Sequence, residues 1–356
     1  MSSFNSVDLA RKRFFFVKLL GMYPITIVDG KSVFKLRDLL PLAVKLTFTS
    51  SLFYFCIKNR DQLKISELEI VDQGNFVSYI AAIIVDIVTP IYCCIFRHEA
   101  WKIIVFLKEI DEKFGKLQKD FTKIAIFFFK FYLIVASLAL PVSLVICFMD
   151  GLLMKAFLHL YVGFDCILII GVLVNLVLSV LIRIKTINDN LENILLQAKD
   201  KKSLQSEHKV IVVIANFIEI YGKLINVNRL TNLCFGVPVM LFFGVLFFFT
   251  IFALFATFKV WSTDGVLDTV ALGSVLFSAY MYLFLTTMIF MFHLAKNEAE
   301  QTIKLVNTML NKTKNEISTQ MLIAFGSLVH RNKPKFTCEL FDFDWKLISA
   351  VSFKNF

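Results

Sequence analysis

The reactive and metal-binding side chains of this sequence do not form an arrangement typical of an active site. The five His are scattered along the chain, and His98-Glu99 lacks the second His that completes a zinc-binding helix. No glycine-rich phosphate loop is present. The seven Cys do not have the spacing of a disulfide framework. The sequence therefore predicts a protein that is not an enzyme and that has neither a metal site nor a cofactor.

Polar side chains inside long apolar stretches are the more informative chemical groups. Each is costly in lipid, so it usually faces protein or water. Lys45 and Lys130 are predicted to extend toward the nearest membrane interface. Asp86, with Pro90 one turn further on, lies deeper in its stretch. It is protonated, paired with one of these lysines, or exposed to a wet cavity.

A second group of residues predicts a ligand-binding pocket. Tyr161 and Asp165 lie one turn apart on the same face of a helix. Ser274 and Ser278 have the same spacing in a later apolar stretch, and Trp261 precedes that stretch. An aromatic wall with a few hydrogen-bonding groups is the usual design for binding a small organic molecule. The alternative interpretation is hydrogen bonding between helices by the serines and anchoring of the tryptophan at the membrane interface.

Long apolar stretches must position these residues. The chain is 57% hydrophobic, contains 40 Phe and has a mean hydropathy of +0.71, which indicates a bilayer environment. Because lipid offers no partner to free peptide groups, the spans must be helices. The predicted fold class is an all-α, polytopic membrane protein with six complete transmembrane helices. This six-helix transmembrane bundle covers residues 39–295, with spans at about 39–57, 75–96, 124–149, 157–182, 234–258 and 266–295.

The basic residues predict the orientation of the bundle. The formal net charge is +10, and Lys and Arg are concentrated before the first span, in the second and fourth loops and after the sixth span. This alternation is the positive-inside pattern, and it predicts that the N-terminal segment 1–38 is cytosolic. Because topology accounts for the basic excess and no DNA-binding motif accompanies it, no nucleic-acid partner is predicted.

Two polar segments on the predicted cytosolic side, 183–233 and 296–345, have the periodicity of amphipathic helices. Their apolar stripes have to be buried either beneath the membrane against the same chain or against another subunit, and both interpretations stay open. The stripe of the second segment consists of Ile303, Val306, Leu310, Met321, Phe325 and Leu328.

A last apolar stretch begins near Leu347, and the sequence ends at Phe356. Seven apolar residues reach about 10 Å, a third of the hydrocarbon thickness. Residues 346–356 are therefore expected to be the start of a truncated seventh span. The two explanations for such an ending are an incomplete gene model and a natural short isoform.

Three segments of the chain resemble one known family. They are Phe14–Pro24, which ends in Gly21-Met22-Tyr23-Pro24, then Ile220–Phe235, and finally Phe325–Leu347, which contains Lys335-Phe336-Thr337-Cys338 and Leu340-Phe341-Asp342-Phe343-Asp344-Trp345. In these segments the chain is similar to the insect gustatory receptor family, which is related to the insect odorant receptors. A rhodopsin-like receptor is disfavoured because its N-terminus is extracellular and because no Asp-Arg-Tyr occurs at the third helix here.

The resemblance implies a taste chemoreceptor subunit at the plasma membrane that forms a ligand-gated, non-selective cation channel. Its implied partners are a small-molecule tastant, the lipid bilayer, and the other subunits of a homo- or heterotetramer. Ligand would bind in the outer part of the helix bundle, the cytosolic anchor helices at 296–345 would pack around the central axis, and the seventh helix would line the pore. The chain lacks the Thr-Tyr and Gln-Phe pairs of that helix.

Three alternatives to a conducting taste receptor follow from the sequence. A chain truncated in the pore helix is expected to be a non-conducting or dominant-negative isoform, because a conduction pathway needs residues along the whole membrane thickness. A solute transporter or a G-protein-coupled receptor are the alternatives from other functional classes.

Overall fold

The computed structural model describes residues 21, 26–28, 31–33, 35–59, 69–114, 153–200, 204–264, 269–313, 315–337 and 342. The predicted span at 124–149, with Lys130, and the predicted start of a seventh span at 346–356 lie outside these residues, as does most of segment 1–38.

Seven α-helices make up nearly all of the described residues, in agreement with the predicted all-α fold. They are α1 (Leu39–Lys58), α2 (Glu69–Ile95), α3 (Arg97–Phe114), α4 (Leu153–Asp200), α5 (Leu204–Asp264), α6 (Thr269–Leu310) and α7 (Glu316–Arg331).

A small β-hairpin precedes the helices and was not predicted. Strands β1 (Thr26–Val28) and β2 (Lys31–Val33) pair antiparallel, with Ile27 opposite Ser32. The sequence between them is Asp29-Gly30, a dipeptide strongly preferred in two-residue hairpin turns. A short 3₁₀ turn at Leu36–Asp38 then leads into α1.

Four stretches of the described residues are long and apolar enough to cross a membrane: Leu36–Lys58, Phe76–Ile95, Ile169–Leu196 and Val210–Lys259. Helices α4, α5 and α6 each continue without interruption from a predicted span into a predicted cytosolic segment. In α4 this continuity has a simple cause, because no Gly or Pro lies between residues 172 and 200.

The chain divides into two compact units. The first unit comprises residues 1–101, 127–172 and 234–287, and the second comprises residues 102–126, 173–233 and 288–356.

An aromatic contact joins α2 to α5 in the core of the first unit. Tyr79 of α2 is buried and meets the ring of Phe249 of α5 edge to face, with ring centroids 5.5 Å apart. Close to this contact, Gly74 of α2 lies so near the ring of Phe252 that an added Cβ would overlap it. The absence of a side chain at Gly74 therefore lets α2 and α5 approach each other.

Charged and polar side chains cross-link the second unit. Arg183 of α4 binds Asp111 of α3 through two hydrogen bonds, Nε to Oδ1 at 2.9 Å and Nη2 to Oδ2 at 2.8 Å. Its Nη1 atom donates to the Ser179 carbonyl at 2.6 Å. Both charged side chains are nearly buried, at 8% and 11% exposure. The pairing satisfies the guanidinium on both edges, which is what a buried arginine requires.

An asparagine joins α4 to α6 in the same unit. The Nδ2 atom of Asn188 donates to the carbonyl and to the carboxylate of Glu298, each at 2.9 Å. Its Oδ1 atom accepts from the Thr302 hydroxyl at 2.6 Å. Donor and acceptor sides of this amide are thus both used, so its burial leaves no unpaired polar atom.

The apolar stripe predicted after the sixth span is close to the observed one. Val306 on α6 and Phe325 on α7 are buried as predicted. The other buried positions lie one residue from the predicted ones: Thr302 and Met309 on α6, and Leu322 and Val329 on α7. Thr302, although polar, is buried through its bond to Asn188.

An extended segment, residues 332–337, follows α7 and is called the strap below. The carbonyl of Lys335 accepts from the Nδ2 atoms of Asn228 at 3.2 Å and Asn232 at 3.0 Å, both on α5. Phe336 is buried and stacks on Phe292 of α6, with centroids 5.0 Å apart. The strap is therefore held by two helices of the second unit.

Replacing Asp111 with Ala is expected to destabilise the protein by about 3 kcal/mol, because it leaves a buried guanidinium without its carboxylate. The matched control is Glu112→Ala on the same helix. Glu112 forms an exposed pair with Lys108 at 3.6 Å, and such pairs contribute at most about 1 kcal/mol. Thermal melting of the purified protein in detergent measures both. Equal melting temperatures for the two variants would contradict the structural role of Asp111.

Replacing Gly74 with Ala is expected to lower stability by about 1–3 kcal/mol, because the methyl group has to displace the ring of Phe252. In contrast, Gly244→Ala adds a methyl group with no atom within 4 Å and raises helix propensity by up to about 1 kcal/mol. The same melting experiment should separate the two variants in opposite directions. A stabilised Gly74→Ala protein would exclude the close approach of α2 and α5.

Candidate functional site

The five predicted ligand-binding residues all belong to the first unit. Tyr161 and Asp165 lie on α4, Trp261 lies near the end of α5, and Ser274 and Ser278 lie one turn apart on α6. The side chains of Asp165, Ser274 and Ser278 lie outside the described part of the structure. Trp261 is 65% exposed, a position compatible with both interpretations given above. The pocket itself stays a prediction.

Tyr161 connects α4 to α1. Its hydroxyl lies 2.6 Å from the Oγ1 atom of Thr49, and its ring meets Phe48 edge to face with centroids 5.4 Å apart. Thr49 is fully buried, and its hydroxyl donates to the Lys45 carbonyl at 2.9 Å. Because that donation uses the only proton of the threonine hydroxyl, Tyr161 is the donor in the bond between the two side chains.

Lys45 lies on the buried face of α1 that also carries Thr49. It is only 9% exposed, so protein covers most of its side chain, and its predicted extension toward a membrane interface stays a prediction. Close packing contributes to its burial. Gly21 has a φ of 78°, and a Cβ there would lie 3.1 Å from the Cβ of Lys45 and 3.0 Å from the Pro41 carbonyl. Only glycine combines this backbone conformation with so close an approach at low cost.

Asp86 of α2 is also fully buried in the first unit, together with Ser78 and Thr89 on the same helix. Its burial agrees with the prediction that it does not face lipid. Carboxylate, amine and hydroxyl groups are side chains of the kind that bind and orient an organic molecule, and the hydroxyls of Tyr161 and Thr49 already bond to each other.

Thr49 and Phe48 were not identified from the sequence. A signal for Thr49 was present, because the buried residues of α1 recur at three- and four-residue spacing and Thr49 falls on that line. No comparable signal exists for Phe48, which is 45% exposed and is recognisable only from its contact with Tyr161. The lining of this face is Leu42, Lys45, Thr49, Leu52 and Cys56.

The second unit contains a small cavity with a volume of about 10 Å³. That is room for about one water molecule and is far below what an organic ligand needs. Its walls are mostly apolar, with two polar side chains that already hydrogen-bond within the protein. It is therefore a weaker candidate for a ligand site. It is lined by Val177, Val180, Asn228, Thr231, Phe292, Ala295 and Pro334.

The hydrogen bond between Tyr161 and Thr49 can be tested by a double-mutant cycle. Tyr161→Phe is expected to cost about 1 kcal/mol, a typical net contribution of one hydrogen bond. Thr49→Val is nearly isosteric and removes the same bond. The double variant should therefore be less destabilised than the sum of the two single changes. Thermal melting of the purified protein is the measurement, and strictly additive effects would show that the two hydroxyls do not interact.

Two solved structures of an insect olfactory receptor share this architecture. The structure is similar to that of the insect olfactory receptor OR5 from Machilis hrabei, with a TM-score of 0.71 and 11% identity, covering 97% of this chain and 94% of that one. The same receptor in complex with eugenol gives a TM-score of 0.63 and 12% identity over the same shares. These identities are low, so the likeness concerns the fold.

Comparison with protein families identifies the family to which the chain belongs. No curated protein sequence matches the chain. The model of the 7tm chemosensory receptor family matches residues 14–353, which is nearly the whole sequence. This result confirms the insect chemoreceptor family and the absence of enzymatic function predicted from the sequence. The chain belongs to the 7tm chemosensory receptor family.

Proposed function

We propose that this chain is a gustatory receptor subunit of the kind that, when complete, forms a ligand-gated, non-selective cation channel opened by a small-molecule tastant. The proposed assembly is a homo- or heterotetramer in the plasma membrane, with the N-terminus in the cytosol. The family match over residues 14–353 is the observation that carries the proposal.

The fold supports the same conclusion. The solved relative shares the architecture over almost its full length and has been determined with eugenol bound, so this architecture accommodates a small organic molecule in that receptor. The gustatory subtype is supported by the Gly21–Pro24 and Lys335–Leu347 segments, which resemble that branch of the family.

The proposed tastant site is the pocket near Tyr161, Asp165, Ser274, Ser278 and Trp261. The contact of Tyr161 with Thr49 supports this region, because it shows a polar, partly aromatic interior where α1 and α4 meet. A ligand hydroxyl or amine that competes for Thr49 would alter the packing of the two helices. Binding energy could be converted into a conformational change in this way.

The channel can be tested by expressing the chain in oocytes under two-electrode voltage clamp. The probes are sucrose, caffeine, dissolved carbon dioxide and eugenol. At least one is expected to evoke a current that reverses near 0 mV and is equal in external sodium and potassium. Saturable uptake of a probe without current would favour a transporter. A current that requires a co-expressed G protein would favour a G-protein-coupled receptor.

The site and the orientation have separate tests. Asp165→Ala is expected to raise the half-maximal ligand concentration at least about tenfold at unchanged surface expression, because a polar contact to the ligand is lost. The control is Asp189→Ala, an exposed aspartate on the same helix, which should leave the response unchanged. An unaltered response in Asp165→Ala excludes that residue from the site.

An epitope tag at Ser2 tests the orientation. If the N-terminus is cytosolic, antibody should stain the tag only in permeabilised cells.

A further inference from the structure

A cluster of lysines surrounds one carboxylate in the second unit. Lys333 of the strap donates to the Oε1 atom of Glu300 on α6 at 3.0 Å. Lys296 and Lys304 lie one turn before and one turn after Glu300 on the same helix, and both are exposed. The Lys333 ammonium, with smaller contributions from Lys296 and Lys304, lowers the pKa of the Glu300 carboxyl. The three lysines therefore surround a single carboxylate, that of Glu300.

The cluster has positive charge in excess. Glu300 offsets one of the three lysines, and the neighbouring acid, Glu298, is bound to Asn188 and does not belong to this face. Among the described residues, no carboxylate forms a salt bridge with Lys296 or Lys304. These two ammonium groups remain available to a further anion.

The third lysine is held in place before any anion binds. Tyr221 donates to the Asn332 carbonyl at 3.4 Å, just before Lys333. On its other side, the Lys335 carbonyl is bound by two asparagines, and Phe336 is buried against α6. A lysine fixed in this way loses less conformational freedom on binding than a free surface lysine does.

The positions of the lysines along α6 indicate which kind of anion can reach them. Lys296 directly follows Ala295, the end of the predicted sixth span, while Lys304 lies about 13 Å beyond that end along the helix axis. The headgroup layer of a bilayer is only about 5–7 Å thick on each side. A ligand that reaches both lysines must therefore project phosphate groups beyond the glycerol phosphate level, as the ring phosphates of a phosphoinositide do.

We propose that Lys296, Lys304 and Lys333 form a binding site for the phosphorylated inositol headgroup of a membrane lipid. The proposal uses the predicted topology, in which the second half of α6 is cytosolic and faces the leaflet that carries anionic lipids. It does not depend on ligand gating, so it can be tested without measuring a current.

The test uses the purified full chain in detergent and short-chain dioctanoyl phosphatidylinositol 4,5-bisphosphate as the probe. The double variant Lys296→Gln/Lys304→Gln is expected to bind about 25-fold more weakly, since each lysine near an anionic headgroup contributes about fivefold. Lys312→Gln is the matched control, because Lys312 is exposed in the same unit beyond the end of α6. Unchanged melting temperatures verify that all variants are folded, as expected for exposed side chains.

Three results would overturn the proposal. The first is a double variant that binds the lipid as tightly as the wild type does, or a Lys312→Gln variant that loses as much affinity as the double variant. The second is equal affinity for dioctanoyl phosphatidylserine, which would indicate diffuse attraction to negative charge. The third is equal affinity for soluble inositol trisphosphate or inorganic phosphate, which would make a free phosphate the ligand. Tight lipid binding in a chain that passes no current would support this site and count only against the channel.

Discussion

In a hydrocarbon environment a peptide group can hydrogen-bond only to protein, and this constraint shapes almost every element of the chain. It accounts for the helical bundle, and it also governs the polar side chains of the helices. Most Ser and Thr hydroxyls of the described residues donate to the carbonyl one turn earlier in their own helix. Examples are Thr49, Ser78, Ser179, Thr231, Thr250 and Thr287. A hydroxyl bonded in this way is already satisfied and does not by itself mark a functional site.

Contacts that cross between helices are more informative, and the two units make them differently. In the first unit the described crossings are mostly aromatic, such as Tyr79 on Phe249, with the hydroxyl pair of Tyr161 and Thr49 as a polar exception. In the second unit, charged and amide contacts accompany aromatic ones such as Phe336 on Phe292; they include Lys223 with Glu109 at 2.6 Å and Lys113 with Glu219. Directional polar bonds fix a packing geometry more narrowly than aromatic contacts do. The helices of the second unit are therefore held in one defined packing arrangement.

The sequence predicted those features that repeat and missed those that occur once. Apolar stretches located α1 and α2 closely, and three-and-four spacing located the buried stripe of α7 at Phe325 and to within one residue elsewhere. The continuity of α4 through its polar half was not predicted, because Arg183 and Asn188 look like solvent-facing residues until their partners are known. The strap could not have been predicted, since its central acceptor is a main-chain carbonyl at Lys335, and backbone atoms leave no signature in residue type. In the candidate site, Tyr161 was identified by type, whereas its partner Thr49 required the fold.

The unbroken length of α5 has a consequence for how such a chain can change. Its 61 residues form one continuous helix, in which each residue advances the side-chain direction by about 100°. Inserting or deleting a single residue shortly before Phe249 would rotate Phe249 and Phe252 by that angle relative to the preceding part of the helix, away from their contacts with α2. Substitutions alter one contact at a time, but a change in length alters the register of the whole helix. We therefore expect the connections between helices to tolerate insertions better than this part of α5 does.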